Sequence, residues 1–241
     1  MWHFAPRYSL GVTLSRTQRL PSAEELYANG LHAATSTWER GNANLKAETA
    51  RNLDVTLRKL AGPTTFAVSL FHNRVADYIH ARTLDVYEDF QLIEYAQRDA
   101  HFTGVEAHVR RQIDATYGVT LFGDYVRAKF AAGDGDRDLP RIPAQRLGVR
   151  ADAEWGAWRA EAEAYRVGRQ RHVAAFEHET AGYNMVNVGL SYSSHYRNTP
   201  WQVHVRLNNV GDARAYAHTS FIKQAAPLPG RNLSMTLRVL F

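Results

Sequence analysis

Apolar and polar side chains alternate one for one along much of this chain. Leu233, Met235, Leu237, Val239 and Phe241 fall on one side of the C-terminal segment, and Asn232, Ser234, Thr236 and Arg238 on the other. Val186, Val188, Leu190 and Tyr192 oppose Asn187, Gly189, Ser191 and Ser193 in the same way. So do Trp201, Val203, Val205 and Leu207 against Gln202, His204, Arg206 and Asn208. Successive side chains of a strand point to opposite faces, so this period marks strands with one apolar and one polar face. The polar face carries full charges, as in Arg159, Glu161 and Glu163. The apolar face often ends in an aromatic ring: Trp155, Trp158, Tyr192, Trp201 or Phe241. Rings at that position suit a membrane–water boundary. A soluble β-sandwich with one wet face is the rival reading of the periodicity alone.

Strands are expected near 7–16, 47–60, 64–81, 90–112, 116–130, 144–155, 158–170, 182–194, 200–210 and 232–241, about ten in all. The connections sort by parity. Short ones fall at 61–63, 114–115, 156–157 and around 198–200. Long ones fall at 17–46, 82–89, 131–143, 171–181 and 211–231. Outer-membrane barrels combine short periplasmic turns with long extracellular loops, and a sandwich has no reason to do so. The expectation is therefore an all-β chain, an antiparallel transmembrane β-barrel portion. In the first long loop, Ser22 and Glu25 have capping-box spacing for a short helix, with Gly30 as its stop.

Composition agrees with this class. Hydrophobic residues make up 45% of the 241, yet mean hydropathy is −0.41 and no run of 18 uncharged apolar residues occurs. There is no cysteine, which excludes disulfides and thiolate metal sites. The net charge of +5 is spread singly among acids, so no nucleic-acid partner is expected. No nucleophile motif stands out. The enzyme alternative is a small barrel with catalytic residues at its rim, and a purely adhesive barrel is the other. The opening residues Met1–Pro6 lack a charged and an apolar leader region. Residues 1–241 are thus expected to be the C-terminal part of a longer barrel, without signal peptide or plug.

Several segments resemble the TonB-dependent outer-membrane receptors: Arg19–Tyr27; Gly41-Asn42 with Leu45 and Glu48; Gly104-Val105-Glu106; Leu207–Asp212 with Tyr216; and Pro229-Gly230-Arg231 before the last strand. The resemblance implies a 22-strand barrel of which this chain supplies about ten strands. It also implies an upstream plug and a segment that docks the TonB energy-transducing partner, an outer-membrane lipid environment, transport and no catalysis. Gly30–Thr35 resembles the histidine-bearing loop of the zinc-uptake branch, which makes His32 the leading metal candidate.

Eleven histidines are present. His32, His172, His178 and His218 fall in the expected outer loops, with Glu177 and Glu179 flanking His178. Imidazole and carboxylate suit zinc and related divalent ions. The expected metal contacts are therefore His32, His178, Glu177, His172 and His218. The metal is a transported ion, and no resident cofactor is required. Haem, held by a loop histidine, or an iron–siderophore complex, held by Trp38, Tyr87, Arg169 and Arg171, remain alternatives.

Overall fold

The structure, a computed structural model, describes residues 1–88, 90–131 and 137–240. The polar cluster 132–136 and the terminal Phe241 lie outside the described residues. Strands account for 65% of the described residues and helix for 3%. The strands are β1 (Trp2–Ala5), β2 (Tyr8–Arg19), β3 (Asn29–His32), β4 (Thr37–Arg40), β5 (Glu48–Lys59), β6 (Thr64–Tyr87) and β7 (Phe90–Gln112). They continue as β8 (Tyr117–Phe130), β9 (Arg146–Trp155), β10 (Trp158–Val167), β11 (Tyr183–Tyr196), β12 (Thr199–Asn208) and β13 (Asn232–Val239). A short helix, α1, spans Ala23–Tyr27.

All but β3 and β4 form an antiparallel meander in chain order, from β1 to β13. Among the described residues the path does not close: β1 pairs only with β2, and β13 only with β12. Among the described residues no helix is long and apolar enough to cross a membrane.

Burial runs opposite to that of a water-soluble sheet. The apolar face lies bare, with Leu14 77%, Leu147 70% and Met235 74% exposed, and Val149, Val188, Leu190 and Leu237 also uncovered. A continuous apolar surface of this size is unsustainable in water and suits hydrocarbon. The polar face is where side chains find partners. Arg110 pairs with Asp152, Arg150 with Glu163, and Arg146 with Asp124. Asp152, Glu163 and Asn187 are buried there. Register builds the two faces: Ala162, Val188, Leu207 and Leu233 form one row, and Arg159, Ser191, His204 and Thr236 another. Near the short turns, Trp158 packs 4.7 Å from Tyr192, which packs 5.7 Å from Trp201. Trp2, Phe4, Tyr8 and Phe66 form a second chain of rings at the same level. These are the aromatic girdle at the lower boundary.

Gly104 shows why one motif needs its glycine. Phe71 lies directly opposite it across the β6–β7 pair, and a Cβ at 104 would collide with that ring and with the Tyr125 carbonyl.

Four expectations need correction. First, residues 2–5 form β1, an additional strand that turns into β2 at Arg7, whose φ is +72°. Pro6 and the scarcity of residues before it hid the pattern. Second, the expected loop 82–89 is mostly strand. β6 and β7 have 24 and 23 residues, about 80 Å of ribbon at ~3.3 Å per residue. A membrane crossing uses only about 9–11 residues, so this hairpin stands far above the band. Third, the first long loop contains its own hairpin, β3–β4. Fourth, the Ser22–Glu25 capping box is present, but α1 stops at Tyr27 and Gly30 belongs to β3.

Candidate functional site

The loop between β2 and β5 is organised from its base upward. Arg19 reaches Glu25 at 2.8 Å and Glu48 at 3.0 Å, tying the end of β2 to α1 and to the start of β5. The Glu25 amide donates to the Ser22 hydroxyl, and the Glu25 carboxylate accepts from the Ser22 amide. Gly41 presses against the end of α1, where its amide donates to the Ala28 carbonyl; a Cβ would sit 2.5 Å from the Tyr27 nitrogen. The chain between these anchors forms β3, a 3-10 turn at Ala33–Thr35 with Ser36 in the left-handed region, and β4. β4 then pairs in parallel with the upper part of β7, Thr37 to Arg40 against Gln91 to Glu94.

That pairing buries Thr37 and Glu39 and gathers a small set of donors. The imidazole Nδ1 of His32 lies 2.7 Å from Glu39 Oε1. The Thr37 hydroxyl donates to the same oxygen at 3.0 Å, and the Tyr95 hydroxyl donates to Oε2 at 3.3 Å. Burial pushes the Glu39 carboxyl up, but the hydrogen bonds from His32 and Thr37 outweigh it and hold it below the ordinary carboxylate range. Glu24, on α1, completes the group: one ligand atom each from Glu24, His32 and Glu39 lie within 4.8 Å of one another. Two carboxylates and one imidazole at that spacing form a hard-to-borderline donor set suited to zinc and its neighbours.

The other expected metal residues divide. Glu177 and His218 meet, with His218 Nε2 3.2 Å from Glu177 Oε1, although they are distant in sequence. Lys223 Nζ, however, takes the same oxygen at 2.6 Å. Glu177 also accepts from the backbone amides of Arg141 and Ala174. Burial pushes the Glu177 carboxyl up, but the contacts with His218, Lys223 and the Ala174 amide outweigh it and hold it down at about 2. A buried ammonium neutralises this carboxylate, so the group works as a clasp between the loops 168–182 and 209–231. His178 is exposed and joins neither group. His172 is exposed beside Asp138, with 3.7 Å between Nδ1 and the carboxylate.

Around the clasp lies a cavity of about 1050 Å³. Its walls include His80, Arg82 and Arg98 of the tall hairpin, Arg141 stacked 4.0 Å from the Phe221 ring, and Lys223. Trp38, Tyr87, Arg169 and Arg171 do not line it. Arg169 is paired with Glu179.

The roles of Glu24, Glu39, Arg98, Arg141 and Lys223 were invisible in the sequence. Each becomes apparent only once β4 reaches across to β7 and the outer loops meet.

A family model described as TonB dependent receptor-like, beta-barrel matches residues 1–210. A curated relative, heme/hemopexin utilization protein C of Haemophilus influenzae, is 29% identical over 158 residues, which are 56% of this chain and 21% of that protein. The fold is similar to that of the copper transporter OprC, with a TM-score of 0.79 and 19% identity over 96% of this chain and 38% of that one. It is also similar to the FrpB iron transporter of Neisseria meningitidis, with a TM-score of 0.72 and 14% identity over 98% of this chain and 37% of that one. The chain thus spans about a fifth of the curated relative's length and under two fifths of these solved structures.

Proposed function

Since the chain belongs to the TonB-dependent receptor β-barrel family, we propose that it forms the C-terminal part of an outer-membrane receptor whose outer loops capture a divalent metal ion, zinc foremost. The observation that carries this reading is the Glu24–His32–Glu39 group above the membrane band. A metal arriving there displaces the His32–Glu39 hydrogen bond and accepts the imidazole and a carboxylate oxygen in its place. Thr37 and Tyr95 remain as hydrogen-bond donors that orient Glu39, as outer partners of metal ligands commonly do. Inward movement then draws on the TonB partner with which receptors of this family work. The homologues are transporters and receptors, not enzymes. The polar lumen agrees with a path for a hydrated or chelated ion.

A second reading rests on a separate observation. The cavity of about 1050 Å³ is lined by Arg82, Arg98, Arg141 and Lys223 together with Glu88, Asp138 and Glu177, of which Glu177 holds Lys223. It would take an anionic metal complex such as haem or a ferric siderophore, and the haem-utilisation relative favours haem.

Isothermal titration of the full-length receptor with zinc alone and with haem alone separates the two. Under the zinc reading, His32→Ala and Glu39→Gln each weaken zinc binding by roughly tenfold or more, by analogy with the 10–100-fold cost of disturbing a metal ligand's partners, and leave haem binding unchanged. Zinc affinity unaffected by both substitutions would overturn the assignment. Haem binding lost on Arg98→Gln and Arg141→Gln would establish the second reading.

A further inference from the structure

Above the apolar band, five neighbouring strands place a basic residue at the same register. Arg16 of β2 lies opposite Arg51 of β5, which lies opposite Arg74 of β6. Arg74 lies opposite His101 of β7, and His101 opposite Lys129 of β8. Two residues lower on the same face, Leu14, Leu53, His72, Thr103 and Arg127 form the next row. Below that comes the row Val12, Val55, Leu70, Val105 and Tyr125. Val12, Leu14, Leu53, Leu70 and Tyr125 are exposed, so this is the face given over to hydrocarbon. The basic row sits roughly ten strand residues from the short turns, one membrane crossing up.

Arg16, Arg51, Arg74 and Lys129 are all exposed. Among the described residues, no carboxylate lies within ion-pair distance of Arg16, Arg51 or Arg74. The acids near this level are occupied. Glu48 is held by Arg19, Asp138 by Arg127, and the Asp99 carboxylate accepts the Asp77 amide. Neighbouring strands are about 4.8 Å apart, and like charges directly opposite one another repel. A row of three arginines without counter-charge therefore costs stability unless an anion lies along it. Lower down, Ala107 and Gly123 face each other in register and leave an apolar trough of about 500 Å³ bounded by Val109, Leu121 and Leu147.

We propose that this rim binds the phosphate groups of a phosphorylated lipid of the outer leaflet, whose acyl chains run down the apolar face beneath. The occupant is a lipid rather than a free anion because the cations sit on the membrane-facing side, directly continuous with the hydrocarbon-facing rows. The row is distinct from the loop metal group and from the cavity, and it does not depend on which metal is carried.

The test uses the full-length receptor with Arg16, Arg51 and Arg74 all changed to Gln. The probe is diphosphorylated lipid A in detergent micelles, with bound lipid read by native mass spectrometry. A basic residue near an anionic lipid surface contributes roughly fivefold in affinity, so the triple variant is expected to lose about a hundredfold. The triple Arg→Lys variant retains most of the binding, and dephosphorylated lipid A binds the unmodified receptor no better than it binds the Gln variant. Retained heat-modifiable migration of the Gln variant shows that it has assembled. Equal retention of diphosphorylated lipid by unmodified and Gln receptors would overturn the proposal. So would equal binding of the dephosphorylated lipid. Inorganic pyrophosphate that displaced the lipid stoichiometrically at low concentration would make the row a free-anion site and refute the lipid assignment.

Discussion

Replacing Glu177 with Gln keeps the shape of the side chain and removes one charge from a buried pair. Lys223 is 6% exposed, and the Glu177 side chain 8%. The ammonium would lose the negative charge now 2.6 Å away and keep only neutral acceptors, the amide oxygen and the His218 carbonyl at 3.3 Å. Stranding a buried charge costs about 3–5 kcal/mol. Deprotonation sets a ceiling. A lysine with an ordinary value near 10.4 can shed its proton at pH 7.5 for about 4 kcal/mol, at about 1.4 kcal/mol per pH unit. The expected cost of Glu177→Gln is therefore about 3–4 kcal/mol at pH 7.5, falling to about 1 kcal/mol at pH 9.5. Lys223→Met alone costs less, because Glu177 retains His218 and two backbone amides. The double variant strands no charge and should lie within about 1 kcal/mol of the native protein. The readout is native-state hydrogen exchange of the Thr180 and Leu228 amides, which donate to the Gln170 and Ala215 carbonyls within the clasped loops. Additive effects of the two substitutions, or a Glu177→Gln cost independent of pH, would refute the reasoning.

The same clasp responds to acid. Glu177 is held at about 2, below its ordinary range, so the stability it contributes is complete above about pH 4.5 and is lost as pH falls through about 2; amide protection of both loops should decline across that window while that of β10–β12 does not. Arginine at Val188 or Leu237, both facing hydrocarbon, should cost about 2–4 kcal/mol in folding titrations into lipid, against about 0–1 kcal/mol for residues near the boundary. Normal stability of both variants would mean that the faces are reversed. Gly104→Val should perturb the β6–β7–β8 junction by displacing the Phe71 ring, and pairing it with Phe71→Ala should restore assembly yield. A Gly104→Val barrel that assembles fully without the second change would remove the steric explanation for the motif.

Much of the architecture was legible along the chain because a pleated strand writes its environment locally. Every second residue faces the same side, so Val186–Tyr192 or Leu233–Val239 declares which side meets hydrocarbon with no knowledge of its neighbours. The short turn at 156–157 was equally readable, since little else can link adjacent antiparallel strands; the one expected around 198–200 lies at 197–198, with Thr199 and Pro200 already in β12. The tall hairpin was misjudged because His80, Arg82 and Glu94 break the alternation once the ribbon rises out of the membrane. There the pleat persists, but the solvent no longer selects residue type. His32 was named as a metal candidate from its loop, but its partner Glu39 was not. The two meet only because β4 crosses to pair with β7, a contact spanning more than fifty residues. Glu177 and His218 were both marked, yet Lys223 closes that pair to a cation, and no local pattern reports which of two distant loops will bring an ammonium. The basic row is of the same kind. Arg16, Arg51, Arg74, His101 and Lys129 look scattered in sequence, and only the hydrogen-bond register of five strands sets them side by side. Periodicity is a property of each segment and was readable from it; juxtaposition is a property of long-range pairing, and only the folded sheet could decide it.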